Sequence, residues 1–398
     1  MFTLFIAAFL FASCGEDRTY QYLELTEECQ WIYAQMKESY LWGDSIKQPA
    51  LNKFFSKSSD FFKGLLIRTD KTSHFGDSAS ATSYGISYTT MRDPLGIQPS
   101  KIYALVRYVE PYSPAHRAGI TRGMWISGVG NKEITTSSHT SLVNGDATTL
   151  RTCRIIFDEE QDKYIWSATD TLHIDAAEAN APIAIPLDSI YRRENGNAGY
   201  VVMNRFDEAA GNLTEVLAKM SEQQVTDIII DLRYNCGGSL KDAAECASLL
   251  VPEGNEGKTF CTTQTNSNMA ETESYTIAQA SAPCPADRLY ILTSAATKSI
   301  AHTFISSLQH IMGKEQIVVI GEQTEAQPYV TDPIVSPYGF TISPVVATIY
   351  TANGKILSSN SVSFTHLLNE IDDVNIFPLG DTRETLLSKA LSILRIRQ

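Results

Sequence analysis

Asp231-Leu232-Arg233-Tyr234-Asn235-Cys236-Gly237-Gly238 is the stretch of this sequence best suited to chemistry. The nearly continuous apolar run Val225–Leu232 reads as a strand buried on both faces, and it leads into two glycines. Without a Cβ, the backbone at Gly237 and Gly238 lets its amides approach a reacting carbonyl, where they stabilise the oxyanion of acyl transfer. A glycine pair after a strand is weak evidence when it stands alone. The seven cysteines, Cys14, Cys29, Cys153, Cys236, Cys246, Cys261 and Cys284, contain no C-x-x-C pair. A structural zinc is therefore not expected, and the sequence offers no motif that calls for another metal or a cofactor. Cys261 and Cys284 flank a polar segment and could close it as a disulfide or stay free; spacing does not decide.

The elements that must hold these residues are legible from periodicity. Leu25, Cys29, Ile32, Met36 and Tyr40 recur every three to four residues and predict a helix within 24–42. A second helix is expected over Ala50–Lys57, and Phe61-Phe62 with Leu65-Leu66 continue a helical region. Asp70–Ser83 is polar and reads as a linker. From Tyr84 the pattern becomes β, punctuated by Gly and Pro. Beyond residue 200, helices expected at Asn212–Met220, Leu240–Leu250, Ser299–Met312 and Thr385–Leu394 alternate with strands at Leu289–Thr293 and Gln316–Ile320. Residues 254–285 read as a polar insertion.

The eight residues Asp231–Gly238 resemble the DLR-x-N-x-GG motif of the C-terminal processing peptidases, also called tail-specific proteases. Pro111–Ile120, Gly123–Ile126 and the hairpin Val129–Ile134 resemble a PDZ signature, with Met124 where that signature has Asp. Tyr40-Leu41-Trp42 and Leu379-Gly380-Asp381 extend the likeness over nearly the whole chain, and specifically to PDZ-containing secreted lipoproteins of Bacteroides-like bacteria. The resemblance implies an α/β core of the ClpP/crotonase-like serine peptidase kind over 182–398. It also implies a PDZ-like β domain over 84–165 and a helical N-terminal domain over 18–75. In this reading Gly237 and Gly238 form the oxyanion hole, and Asp231, Arg233 and Asn235 support their turn. A PDZ module takes a peptide C-terminus as an added strand, so extended polypeptides or protein C-termini are the implied partners.

The same resemblance places the nucleophile at Ser299, about 60 residues after the glycine pair, in Ala296-Thr297-Lys298-Ser299-Ile300-Ala301-His302. A serine at a helix start is also an ordinary N-cap, so its position alone assigns nothing. A serine hydroxyl needs a base, which in this family is a lysine of a G-E-K-T-x-G-K segment. The matching stretch is Gly321-Glu322-Gln323-Thr324-Glu325-Ala326-Gln327, which puts Gln327 in the lysine's place. An amide is no general base. Lys298 adjoins the serine but points elsewhere on the helix, while His302, three residues on, shares its face. Lys314 reads as a solvated residue in a short extension between helix and strand, His310 as an unremarkable helix-end residue, and no Asp/His/Ser triad has motif support. Beyond Asn353-Gly354-Lys355, the segment Ser358–Thr365 lacks the family's Gly and Pro.

Composition bounds the rest. The 398 residues carry 45 acidic and 32 basic side chains, a net charge of −13, which argues against a phosphate-backbone binder and hence against nucleic acid as partner. Met1–Ser13 is apolar but shorter than the roughly 20 residues a membrane span needs. It resembles a secretory h-region, with Phe11-Ala12-Ser13-Cys14 similar to a bacterial lipobox. That likeness implies a signal over 1–14, lipidation at Cys14 and a lipid-anchored place in the cell envelope, periplasmic or surface-exposed. Two functional classes follow: an envelope serine endopeptidase weakened or silenced at Gln327, or a non-catalytic peptide-binding lipoprotein.

Overall fold

The apolar stripe of the first helical stretch is buried as its spacing demands: Cys29, Ile32, Met36 and, just past the helix end, Tyr40 are all fully covered. The structure is a computed structural model that describes residues 19–76, 82–180, 182–193, 196–280, 284, 286, 288–297, 300–371 and 376–395. Cys14, Lys298 and Ser299 lie outside the described residues. The chain divides into two units, the first made of residues 1–77, 265–270 and 330–347 and the second of the remainder.

In the first unit α1 (Thr19–Ser39) and α2 (Ser58–Leu65) accompany a small sheet in which His74–Phe75 and Ile334–Val335 flank Thr341–Ser343. The helix expected over Ala50–Lys57 is instead a 3₁₀ turn, Leu51–Phe55. None of its residues is buried, so no packing stabilises a longer helix there. Tyr40 ends the buried stripe, and its hydroxyl donates to Asp70 at 2.8 Å. Residues 265–270 and 330–347, which the sequence assigned to the 182–398 core, belong to this unit.

The second unit begins with an antiparallel sheet in the order Asp170–Ile174, Thr148–Cys153, Trp125–Val129, Ile102–Val109, Ile86–Arg92, with Lys132–Glu133 on Trp125–Val129. The short α3 (Pro114–Arg117) is capped by Ser113, whose hydroxyl accepts the His116 amide. Tyr84, Ala104, Val106, Ala115, Ile120, Ile126 and Leu150 form its core.

A mixed sheet follows, in the order Leu187–Tyr191, Asn197–Val202, Val225–Asp231, Arg288–Thr293, Ile317–Gly321, His366–Leu367. Only its first strand is antiparallel. The parallel strands are connected through α4 (Ala209–Glu222), α5 (Leu240–Leu250) and α6 (Ile300–Met312). Successive side chains of a strand take opposite faces. Ile229, Tyr290, Leu292 and Ile320 accordingly pack with Leu386, Leu387, Ala390 and Leu391 of α7 (Thr385–Arg395), leaving Ile228 and Ile230 to the other face. The polar insertion expected over 254–285 holds an antiparallel hairpin, Thr259–Thr265 with Thr272–Thr276. Cys261 and Cys284 are free thiols, as are the other four described cysteines.

Candidate active site

Parallel strands in register end together, and ligands of open α/β sheets bind beyond their carboxyl ends. Val202 pairs with Asp231, Asp231 with Leu292, Leu292 with Ile320, and Thr293 with Gly321. The Asp231–Gly238 turn, the lead into α6 and the Gly321–Gln327 loop therefore leave one edge side by side.

The glycine turn is held by residues 204–207. The Cys236 amide donates to the Asn204 carbonyl at 2.8 Å, and the Phe206 amide donates to the Gly237 carbonyl at 2.8 Å. The Asp207 carboxylate accepts the Ser239 amide at 2.8 Å and pairs with Arg205 at 2.5 Å. Ser239 in turn caps α5, its hydroxyl accepting the Asp242 amide. Gly237 and Gly238 have φ of +104° and +134°, conformations L side chains rarely adopt. The Gly237 amide is turned onto the Asn235 side chain at 2.9 Å. Of the two amides named from sequence, Gly238's is the one without a hydrogen-bond partner among the described residues.

A Cβ at Gly238 would sit 2.9 Å from both the Asp207 amide nitrogen and Oδ1, whereas one at Gly237 meets nothing within 4 Å. Gly238→Ala should therefore lower stability by about 1–3 kcal/mol, the range of a strained backbone position. Gly237→Ala, strained but unobstructed, should cost less. Urea unfolding of the two variants checks the order; equal losses would mean that contact with Asp207 does not matter.

Two buried hydroxyls dock the lead into α6 onto the motif. Ser294 donates to the Arg233 carbonyl and Thr297 to the Leu232 carbonyl, each at 2.7 Å. The neighbouring loop is tied to the same segment: the Thr293 hydroxyl donates to the Glu322 carbonyl at 2.9 Å, and the Glu322 carboxylate accepts the Ala295 amide at 3.1 Å. These anchors bring the described residues on either side of 298–299 against the loop that ends in the half-buried Gln327.

His302 crosses the same junction. Its Nε2 lies 3.0 Å from the Ser358 carbonyl, which can only accept, so Nε2 carries the proton. Nδ1 is then the acceptor for the Thr324 hydroxyl at 2.5 Å. Burial lowers the pKa of this fully covered ring, partly offset by the Ser358 carbonyl. The lone pair that would make His302 an alternative base is occupied. Its ring ties α6 to the Thr324 loop and to the start of the Ser358–Thr365 segment.

Asp231 and Arg233 belong to a buried charge network. The Arg233 guanidinium is fully covered and grips Asp231 through Nε at 3.0 and 3.1 Å and Nη2 at 2.6 Å. Its Nη1 donates to Glu370 at 3.3 Å and to Glu384. Arg122 joins Glu370 at 3.0 Å and Glu384 at 3.4 Å, and Arg107 Nε donates to Glu370 at 2.8 Å. Tyr234 donates to Glu370 and Tyr200 to Asp231, each at 2.7 Å. Burial pushes Glu370 up, but the guanidiniums of Arg122, Arg233 and Arg107 and the Tyr234 hydroxyl outweigh it and hold the carboxyl down at about 2. Three cations thus face three carboxylates.

Asp207, Ser294, Thr297, Thr324, Glu370 and Glu384 carry this arrangement, and sequence reasoning singled out none of them. Each is polar and bonded to residues distant in sequence. The signal for Glu384 was local: it precedes α7, and its carboxylate accepts the Leu387 amide at 3.0 Å as an N-terminal cap does.

The Peptidase family S41 model matches residues 197–363, and the Peptidase S41 N-terminal domain model matches residues 27–76. Among relatives, a Staphylococcus epidermidis protein described as a CtpA-like serine protease is 23% identical over 238 residues, 58% of this chain and 44% of its own. A Staphylococcus aureus protein of the same description is 23% identical over 218 residues, 53% of this chain and 39% of its own. The chain thus spans less than half the length of these relatives. Among solved structures, a Bacteroides fragilis protein described as an S41 protease superposes with a TM-score of 0.77 at 25% identity, covering 92% of this chain and 97% of that one. The photosystem II D1 C-terminal processing protease gives 0.54 at 15% identity, covering 88% and 95%. Mature CPAF complexed with lactacystin gives 0.53 at 11%, covering 93% and 97%. These matches correct the fold expectation: the architecture is that of the S41-type proteases, not a ClpP/crotonase-like core. The match runs through both units, so the antiparallel domain and the helical N-terminal unit are part of the shared fold. With its glycine turn, its docked α6 lead and two S41 models matching its sequence, the chain belongs to peptidase family S41, the CtpA-like tail-specific proteases.

Proposed function

We propose that this chain is an envelope homologue of the C-terminal processing peptidases that binds extended polypeptides and hydrolyses them weakly or not at all. What supports this reading is an assembled glycine turn, taken together with the resemblance that puts Gln327 in the place of the family's lysine. The Gly238 amide is unengaged among the described residues, while the loop packed on the α6 lead ends in Gln327. Acyl transfer needs an oxyanion donor and a proton acceptor for the serine, and the second is the part this loop does not supply. His302 does not replace it, since both its nitrogens are bonded.

In this reading Ser299 is the inherited nucleophile position, and the antiparallel domain is PDZ-like. Its Ile86–Arg92 strand is an edge of the sheet, the kind of site at which an extended peptide adds as a further strand. Lipidation at Cys14 would hold the protein at a membrane of the cell envelope. The non-catalytic reading is the limiting case of the same site, favoured by Gln327.

Casein or peptide cleavage by the mature protein, compared with Ser299→Ala, tests the proposal. Equal, background rates together with peptide binding are expected. Brisk Ser299-dependent turnover would overturn the loss of hydrolysis, and absence of any peptide binding would overturn the binding role.

A further inference from the structure

The antiparallel domain contains a small cavity of about 200 Å³, lined among others by Ser83, Gly85, Ser87, Tyr108, Glu110 and Asn180. Pockets for whole small molecules are usually about 300–1,000 Å³, so this one suits a single side chain or head group. It lies where the edge strand Ile86–Arg92 begins, so a peptide laid along that edge would reach it.

Its chemistry is that of a cation seat. Glu110 is the charged residue of the lining. One carboxylate oxygen accepts the Ile183 amide at 2.9 Å. Among the described residues no lysine or arginine forms an ion pair with it. Arg205 acts on Glu110 from nearby, but its guanidinium is already paired with Asp207 at 2.5 Å. Glu110, Asp207 and Arg205 together therefore leave one negative charge uncompensated.

Two donors that an anion would need are spent. The Gly85 amide donates to the Ser83 hydroxyl at 3.0 Å, and the Asn180 amide group donates to the Ser83 carbonyl at 2.9 Å. The Tyr108 hydroxyl accepts from Asn204 at 2.6 Å, and its own proton acts on the Glu110 carboxylate. Burial raises the Glu110 pKa, against the Ile183 amide, Arg205 and Tyr108, which lower it. A second carboxylate placed in the cavity would add like-charge repulsion to that desolvation.

We propose that this cavity seats the basic side chain of a bound polypeptide, lysine or arginine, with Glu110 as its counter-charge. The proposal rests on the polypeptide-binding reading and names its substrate class: chains with a basic residue at the position that meets the start of the edge strand. A peptide's terminal carboxylate is excluded from this cavity by the same charge.

The test uses the full mature chain carrying Ser299→Ala, so that no peptide is consumed. Fluorescein-labelled peptides identical except for one central lysine, norleucine or glutamate are titrated by anisotropy. A charge-assisted hydrogen bond to a carboxylate predicts about tenfold or greater preference for lysine over norleucine, with glutamate weakest. Glu110→Gln, which keeps the shape and the Ile183 contact, should bring the lysine-to-norleucine ratio close to one. Equal binding of the lysine and norleucine peptides by the unchanged Glu110 protein overturns the proposal without requiring any variant to fold, as does a lysine preference that survives Glu110→Gln. Acetyl-lysine-methylamide and acetyl-norleucine-methylamide, compared by saturation-transfer NMR, separate the two readings. Lysine-selective saturation with no peptide binding supports the cation seat and sinks the polypeptide role. Absence of both sinks both.

Discussion

Gln327→Lys should create a protease. The expected result is peptide cleavage at about 10²–10⁴ times the rate of the unmodified protein, the usual worth of general-base assistance. The gain should vanish in Gln327→Lys/Ser299→Ala. The physical reason lies in what the loop already provides. Glu322 is bonded to Thr293 and Ala295, and Thr324 to His302, so Gly321–Gln327 is fastened to both ends of the α6 lead. A lysine at 327 would put an amine on a flexible four-carbon stem at the end of this anchored loop, and lysine shifts its pKa readily when desolvated. The proposed oxyanion donor, the Gly238 amide, should be unaffected, because its turn is held by Asp207 and the 204–207 ladder rather than by this loop. A folded but inert Gln327→Lys protein would show that the change at 327 is one of several, and Ser358–Thr365 is the next segment to restore. Cleavage by the unmodified protein at ordinary enzymatic rates would move the base elsewhere, with Lys298 the first residue to replace.

What the sequence made legible follows from the range of the interactions involved. The expected Leu240–Leu250 helix has the bounds the structure gives it, and what sets them is local: the Ser239 hydroxyl caps its start at the Asp242 amide. Val225–Asp231 announced itself by continuous hydrophobicity, the mark of a parallel strand covered on both faces. The glycine turn was visible because only glycine tolerates its φ values. The Ala50–Lys57 helix was misread because propensity without burial does not hold a helix. The role of His302 was out of reach: a histidine three residues from a serine suggests a base, and only the positions of Thr324 and Ser358, 22 and 56 residues away, show its nitrogens occupied. The same holds for Arg233, whose carboxylate partners Glu370 and Glu384 lie 137 and 151 residues on. The core assignment shows another limit, since a strand–Gly-Gly–helix unit is shared by more than one architecture and only superposition on whole chains decided for the S41 type.

Arg233→Met should be among the most destabilising single substitutions in the second unit, by about 3–5 kcal/mol, the cost of removing one partner from a buried ion pair. Methionine fills much of the volume, so the loss would come from charge rather than from a cavity. Asp231 would lose its guanidinium contacts, and among the described residues Glu384 would keep only Arg122 as a cationic partner, at 3.4 Å. Acid provides the control. Glu370 is held at about 2 in the folded protein, against 4.5 ordinarily, so the unfolded chain binds its proton first as pH falls. Its contribution is complete above about 4.5 and is lost progressively as pH falls from there towards 2, amounting to roughly 3 kcal/mol at about 1.4 kcal/mol per unit. Arg233 supplies part of that depression, with Arg122 acting before it and Arg107 after it. Urea unfolding between pH 7 and pH 3 should therefore show a steep acid loss in the unmodified protein and a shallower one in Arg233→Met, the two curves converging at the acid end. A constant gap across the whole range would mean that Arg233 acts through packing alone. A narrowing gap assigns its effect to the carboxylates that join the Ile102–Val109 strand, the motif turn and the start of α7 into one charge-balanced unit.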